Sequence, residues 1–268
     1  PLEGSSKFKD LILGDIAIDN KEFDDFIILR SDGSPTYNFC AAVDDMEMKI
    51  TTVIRGDDHI TNTLKQINVL DALGATIPSY AHLPMVLAES GKRLSKRDGA
   101  EDILDYKKKG YLNDALVNYL VRLGWSYGEE EIFSLEELEK IFNLEDVNSS
   151  PSKYSQELLD WYNNKYLNFL TPEDLILKVK ENSEVDFNQI DNGKLAISLL
   201  AKGAHSLHQI AEESAYFFVE PQTKFNLLNI NSDKKILLSE FSEQLKEIDF
   251  KKNKIEDFIK EFLRSKDL

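Results

Sequence analysis

Four of the six residues from Lys92 to Arg97 carry positive charge, in the run Gly91-Lys92-Arg93-Leu94-Ser95-Lys96-Arg97-Asp98-Gly99. The chain around them has 268 residues and a formal net charge of -16. So strong a local reversal suggests a site that meets phosphate, where cationic side chains neutralise oxyanions. Taken alone, the run reads as readily as a solvated basic turn. Two further strings hold reactive residue types at close spacing, Ser31-Asp32-Gly33-Ser34-Pro35-Thr36-Tyr37-Asn38-Phe39 and Val53-Ile54-Arg55-Gly56-Asp57-Asp58-His59. In isolation Tyr37 reads as a core tyrosine at a helix start, and Arg55 as the partner of Asp57 or Asp58. Asp57-Asp58-His59 looks like a catalytic cluster, yet it reads better as support: acids just before a helix at Thr61 cap its free N–H groups and suit its dipole, with His59 packing or hydrogen-bonding. His205 and His208 lie three apart on an expected helix, a spacing that suits a metal, but no nearby cysteine or acidic pair completes a site, so a surface pair is expected and no metal is assigned. The chain contains no Ser/His/Asp arrangement and no glycine loop of the P-loop kind.

The elements that must carry these residues alternate. Phe26-Ile27-Ile28-Leu29 is a short apolar run ended by turn formers, which predicts a buried strand leaving into a loop. From Tyr37 to Met48, Phe39, Ala42, Val43 and Met46 recur at helical spacing, and Ile50 to Ile54 is β-branched enough to be a strand with Arg55 at its carboxyl end. Thr61 to Leu73 is again helical, with Gly74 as its stop, and His82 to Leu87 is the next apolar strand. The alternation predicts a parallel sheet that binds ligands outside the carboxyl ends of its strands. After the basic loop the pattern is helical: Leu112–Leu123, Leu135–Phe142, Gln156–Phe169, then nearly everything to Leu268, with no strand run of comparable quality. Boundaries are expected near Gly91 and at Thr171-Pro172, a Thr cap followed by Pro at the first helical position.

A hydrophobic content of 42% with 30% charged residues is that of a soluble globular protein, and no apolar run approaches the roughly 20 residues of a membrane-spanning helix. Cys40 is the sole cysteine, so no intrachain disulfide forms and a reducing compartment fits. Cytoplasm is the expected location. An isoelectric point near 4.7 argues against indiscriminate coating of nucleic acid, since non-specific affinity comes from Lys and Arg on phosphates, but leaves room for a confined positive track.

The three strings, in this order and spacing, resemble the glutamyl-tRNA synthetases, a branch of the class I aminoacyl-tRNA synthetases. The resemblance runs from about Phe8 to Trp161 and more loosely beyond, and includes Ala115-Leu116-Val117-Asn118-Tyr119-Leu120 and Leu123-Gly124-Trp125-Ser126; Asn113 stands where proline is usual. It implies that Arg93-Leu94-Ser95-Lys96-Arg97 is the ATP-binding KMSKS loop, with Lys96 the catalytic ATP-contacting lysine and Arg93 in place of the motif's first lysine. A flexible ammonium there stabilises the charge that builds on departing pyrophosphate. It implies equally that Tyr37 and Arg55 face the glutamate substrate, with Asn38 and Ala41 beside them. An arginine fork holds a carboxylate by two parallel bonds, and a tyrosine hydroxyl donates one more.

The family's other ATP motif, His-Ile-Gly-His, is absent from the sequence, and Phe8 to Gly14 resembles the end of the insertion between the two catalytic halves. The expected fold class is therefore α/β followed by all-α. Residues 1–98 are expected to be the second half of a Rossmann-like catalytic domain, 99–171 a helical linking domain, and 172–268 part of a helical anticodon-binding domain. The expected function is ATP-dependent, magnesium-assisted ligation of L-glutamate to tRNA, with contacts to the acceptor end and anticodon stem, by a monomer that binds no membrane; the present segment alone is expected to be inactive. Gly203 stands where many relatives carry an arginine that reads an anticodon base, so glutamine tRNA is an expected second substrate. Glutaminyl-tRNA synthetases match less well around Tyr37. A non-catalytic RNA-binding adaptor fits the missing motif but has no use for a glutamate pocket.

Overall fold

Polar and apolar side chains alternate along Ser5–Asp10 and Gly14–Asp19, and these segments pair as an antiparallel hairpin, β1 and β2. The computed structural model describes residues 3–94, 101–190, 192–218, 232–248 and 251–266. Helix α1 (Tyr37–Glu47), strand β3 (Thr52–Gly56), helix α2 (Ile60–Ala72) and strand β4 (Ser79–Leu83) follow, close to the expected alternation. The four strands form one sheet in the order β2-β1-β4-β3, with β4 parallel to both β1 and β3. The sheet is thus mixed rather than wholly parallel, because a hairpin with a tight turn adds its second strand antiparallel at one edge.

Between α1 and α2 lies a small core of Ala42, Val69 and Leu70, with Phe26, Phe39 and Met46 packed against it. Helix α2 ends as expected: Gly74 has φ +64°, its N–H bonds to Asp71, and the N–H of Ala75 bonds to Leu70. A left-handed residue is needed at that closing turn, and glycine adopts it without strain.

The expected buried strand at Phe26–Leu29 does not form. Ile27, Ile28 and Leu29 are exposed, and only Phe26 reaches the core. The turn at Ser31–Pro35 folds this segment back on itself, with Arg30 N–H bonded to Ser34 and Thr36 N–H to Ile28, so its backbone is satisfied locally rather than in the sheet. The run expected from His82 to Leu87 also divides: β4 ends before Pro84, and Val86–Leu87 (β5) pairs in a second, two-stranded sheet with Ser152–Lys153 (β6). Proline has no N–H for the ladder, and a two-residue strand such as β6 leaves no periodicity in the sequence.

The helical remainder comprises α3 (Ile103–Lys108), α4 (Asn113–Arg122), α5 (Leu135–Ile141), α6 (Gln156–Phe169), α7 (Pro172–Asn182), α8 (Gly193–Gly203) and α9 (Leu207–Glu213). Trp125 is buried with Phe133, Leu138 and Val147 beside α5, and α4 packs on α6. Thr171 caps α7 by accepting from Asp174 N–H, with Pro172 at the first position. Gly110, at φ +78°, lets the α3–α4 turn approach α9: a Cβ there would lie 2.8 Å from the amide nitrogen of His208. Contacts divide the chain into two units, residues 1–214 and 215–268. The second unit holds α10 (Ala215–Phe218), α11 (Ser232–Lys246) and α12 (Lys252–Ser265), the last two joined through Phe241, Phe258 and Phe262. No helix among the described residues is long and apolar enough to cross a membrane.

Candidate functional site

Arg55 is the penultimate residue of β3 and lies in register with His82 on the parallel strand β4; Val53 and Tyr80 are paired two residues earlier. Period-2 alternation puts all four on one face of the sheet, where α2 supplies Thr63. The Arg55 guanidinium donates from Nη2 to Thr63 Oγ1 at 2.5 Å and from Nε to His82 Nε2 at 3.4 Å, and lies 5.7 Å from the centre of the Tyr80 ring. Among the described residues no carboxylate is ion-paired with it, so the alternative pairing with Asp57 or Asp58 does not occur. Burial pushes the Asp45 carboxyl of α1 above the ordinary value, and the charge of Arg55 only partly offsets this. Burial likewise pushes the Tyr80 phenol up to about 12, and its hydroxyl has no hydrogen-bond partner.

Tyr37 opens α1 and is half exposed, its hydroxyl 3.5 Å from His59 Nδ1. Thr63 donates to the His59 carbonyl at 3.1 Å. Tyr37 and Arg55, on different elements, thus converge on the first turn of α2, Tyr37 through His59 and Arg55 through Thr63. Asn38 Oδ1 accepts from Gln66 Nε2 at 3.4 Å; Gln66 is fully buried and its Oε1 has no partner. Ala41 is part-buried on α1, one helical turn after Tyr37.

Asp57 and Asp58 do not cap α2. They belong to a 3-10 turn, Asp57–His59, in which Ile60 N–H bonds back to the Asp57 carbonyl, and α2 begins after His59 with no side-chain cap. The Asp58 carboxylate folds back over Gly56, where a Cβ would lie 2.7 Å from Oδ1, and accepts from Arg93 Nη2 at 3.0 Å. Arg93 and Leu94 lie on the strand-like return after β5: Ala88 and Lys92 share a turn, Leu87 bridges Arg93, and Leu94 N–H bonds to Val86. Ser95, Lys96 and Arg97, the remainder of the basic loop, lie outside the described residues.

Two residues that sequence reasoning passed over sit behind Arg55. The carboxylate of Asp10, the last residue of β1, accepts at Oδ1 from the N–H groups of Ile12, Leu13 and His82, and its Oδ2 lies 2.6 Å from His82 Nδ1. Burial alone raises the Asp10 carboxyl, and these bonds, led by that from Leu13, outweigh it and hold its pKa below the ordinary value. The signal in the sequence was slight: a carboxylate directly before the turn Leu11–Leu13, and a histidine alternating with Tyr80 on an apolar strand.

His205 and His208 do not share a helix. Ala204 ends α8, Ser206 caps α9, and His205 falls between, while His208 pairs with Glu212 at 3.3 Å on the surface. No group of three His, Cys, Asp or Glu side chains among the described residues could hold a metal ion.

Residues 1–161 match the catalytic-domain family of the class I tRNA synthetases (E and Q), and residues 155–268 match an anticodon binding domain family. The glutamate–tRNA ligase of Nitrosospira multiformis is 43% identical over 267 residues, which are 97% of this chain and 57% of that protein. That of Herminiimonas arsenicoxydans is 42% identical over 268 residues, 98% of this chain and 57% of that protein. Among solved structures, a glutamate tRNA ligase from Elizabethkingia meningosepticum in complex with its amino acid is similar with a TM-score of 0.75 at 29% identity, over 100% of this chain and 58% of that one. The glutamate-tRNA synthetase of Elizabethkingia anophelis gives 0.76 at 29% identity with the same coverage. The chain therefore spans just over half the length of the relatives it matches.

Proposed function

Since the chain belongs to the class I tRNA synthetases of the E and Q type, we propose that it serves in the ATP-dependent ligation of L-glutamate to tRNA. The glutamate carboxylate attacks the α-phosphate of ATP, pyrophosphate leaves, and the resulting glutamyl-adenylate gives its acyl group to a hydroxyl of the terminal adenosine of tRNA. The observation that carries this reading is Arg55: a guanidinium with no carboxylate partner among the described residues, held from behind by Thr63 and His82 at the carboxyl end of β3. A preorganised cation of this kind takes a substrate carboxylate by a charge-assisted, planar contact. Tyr37 supplies a hydroxyl beside the same turn of α2, and Asn38 and Ala41 line the approach from α1. Lys96 is the catalytic residue of the first step, stabilising charge on the leaving pyrophosphate, and Arg93, Leu94, Ser95 and Arg97 complete the ATP loop. Magnesium accompanies ATP; no side chain of this chain is assigned to it.

We assign residues 1–98 to the catalytic half-domain, 99–171 to the linking helices and 172–268 to anticodon contact, with tRNA touched at its acceptor end and its anticodon stem by a monomeric cytoplasmic enzyme. Gly203 closes α8 with open space where a side chain would stand, which favours glutamine tRNA as a second substrate, because glycine cannot make the bidentate base contact that an arginine makes.

The test is Arg55→Ala in the full-length protein. The KM for glutamate rises by a factor corresponding to about 2–5 kcal/mol while that for ATP changes little, and Tyr37→Phe gives a milder effect of the same kind. Equal damage to both KM values would remove Arg55 from the glutamate site.

A further inference from the structure

Asp10 and His82 are both almost completely buried. Their bonds form a line through the sheet. From β1, Asp10 Oδ2 meets His82 Nδ1 at 2.6 Å; from β4, His82 Nε2 meets Thr63 Oγ1 at 2.9 Å and Arg55 Nε at 3.4 Å; and Thr63 accepts from Arg55 Nη2. The hydrogen bond from Arg55 Nε to His82 Nε2 fixes the tautomer of His82. Arginine is always a donor, so the His82 nitrogen that faces it must offer a lone pair, which puts the imidazole proton on Nδ1, where the Asp10 carboxylate accepts it. Thr63 accepts from Arg55 and passes its own proton to the His59 carbonyl or to His82. Every donor on the line then meets an acceptor.

We infer that Asp10, His82 and Thr63 are positioning residues for glutamate recognition: Asp10 fixes the tautomer of His82, and His82 and Thr63 together fix the two edges of the Arg55 guanidinium that the substrate does not use. This rests on the reading of Arg55 as the glutamate-binding cation. The physical gain is preorganisation. An arginine side chain has many rotamers to lose, and a guanidinium already held on two of its N–H groups loses fewer of them when a carboxylate docks on the rest. The line also explains why an ionised carboxylate is kept under the sheet, where four bonds from nitrogen satisfy it, three of them from the backbone N–H groups of Ile12, Leu13 and His82.

Asp10→Asn tests this in the full-length protein because it is nearly isosteric. The amide oxygen can keep the backbone bonds to Ile12, Leu13 and His82, while the amide nitrogen presents protons to His82 Nδ1. The imidazole proton must then move to Nε2, where it opposes the Arg55 N–H. Thr63→Val removes the hydroxyl without changing shape, and Thr63→Ser restores it. The expected result is a rise of about tenfold in the KM for glutamate in Asp10→Asn and Thr63→Val, with kcat and the KM for ATP within about threefold of the parent, and recovery in Thr63→Ser. Thermal melting reports folding; if Asp10→Asn does not fold, the Thr63 pair decides. Folded variants with an unchanged glutamate KM, beside an Arg55→Ala enzyme whose glutamate KM does rise, would overturn the positioning role and leave the Arg55 reading intact. A parallel rise in both KM values, or a fall in kcat alone, would also overturn it, marking a general structural role. An Arg55→Ala enzyme with unchanged glutamate KM would overturn both.

Discussion

Arg93 donates to the Asp58 carboxylate at 3.0 Å, which ties the second basic residue of the Lys92–Arg97 run to the turn that follows Arg55's strand. Two strings 35 residues apart in sequence therefore meet at one end of the sheet. Their pairing is one of position rather than of strength: the Arg93 side chain is 67% exposed and that of Asp58 35%, and exposed pairs contribute about 0–1 kcal/mol. Asp58→Asn is accordingly expected to lower the free energy of unfolding by no more than about 1 kcal/mol in urea. A larger loss would show that the 3-10 turn depends on this carboxylate for its shape.

Lys96→Ala is expected to slow adenylate formation by at least about tenfold, or roughly 1.4 kcal/mol of transition-state stabilisation, with glutamate affinity nearly unchanged. Glutamate-dependent pyrophosphate exchange in the presence of tRNA measures it. An unaltered exchange rate removes Lys96 from the mechanism.

Asp10 gives a pH signature. Its folded pKa lies below the ordinary carboxylate value, since hydrogen bonds from Leu13, His82 and Ile12 outweigh the opposing effect of burial. Its stabilising contribution is therefore fully present above the unfolded value of about 4 and is lost as the pH falls through the lower folded pKa. The difference in unfolding free energy between the parent and Asp10→Asn is expected to narrow on going from about pH 6 to about pH 3. A gap that stays constant over that range would mean that the charge on Asp10 contributes nothing to the fold.

Gly203→Arg probes tRNA choice. A Cβ at this position meets nothing within 4 Å, so a side chain can begin here without a clash at its first atom. If base reading by an arginine is what the parent lacks, the variant is expected to gain about 1–3 kcal/mol of preference for glutamate tRNA over glutamine tRNA. Comparing kcat/KM for the two purified tRNAs decides it. A parent that already prefers glutamate tRNA by more than about a hundredfold, roughly 2.7 kcal/mol, would sink the second-substrate reading.

Local signals carried much of the architecture. Thr171 caps α7 where its type and the following Pro172 place it, and Gly74 closes α2, because caps and helical periodicity act within a turn or two of chain. The same locality explains the failures. Ile27 to Leu29 has the composition of a buried strand, but the turn at Ser31–Pro35 right after it pairs its backbone locally; Asp57 and Asp58 have the types of caps, but a 3-10 turn takes up the start of the helix.

The sequence by itself determined the order of the three strings, the change from alternating to helical pattern after the basic loop, and so the family. What only the tertiary structure decided is the chemistry behind Arg55. Asp10 and His82 are 72 residues apart and meet because the sheet order β2-β1-β4-β3 sets the first strand beside the last of the parallel three. No periodicity encodes such a crossover. It arises from the joint burial of strands and helices, and with it comes the partner set that leaves one guanidinium held in place with no carboxylate ion-paired to it among the described residues.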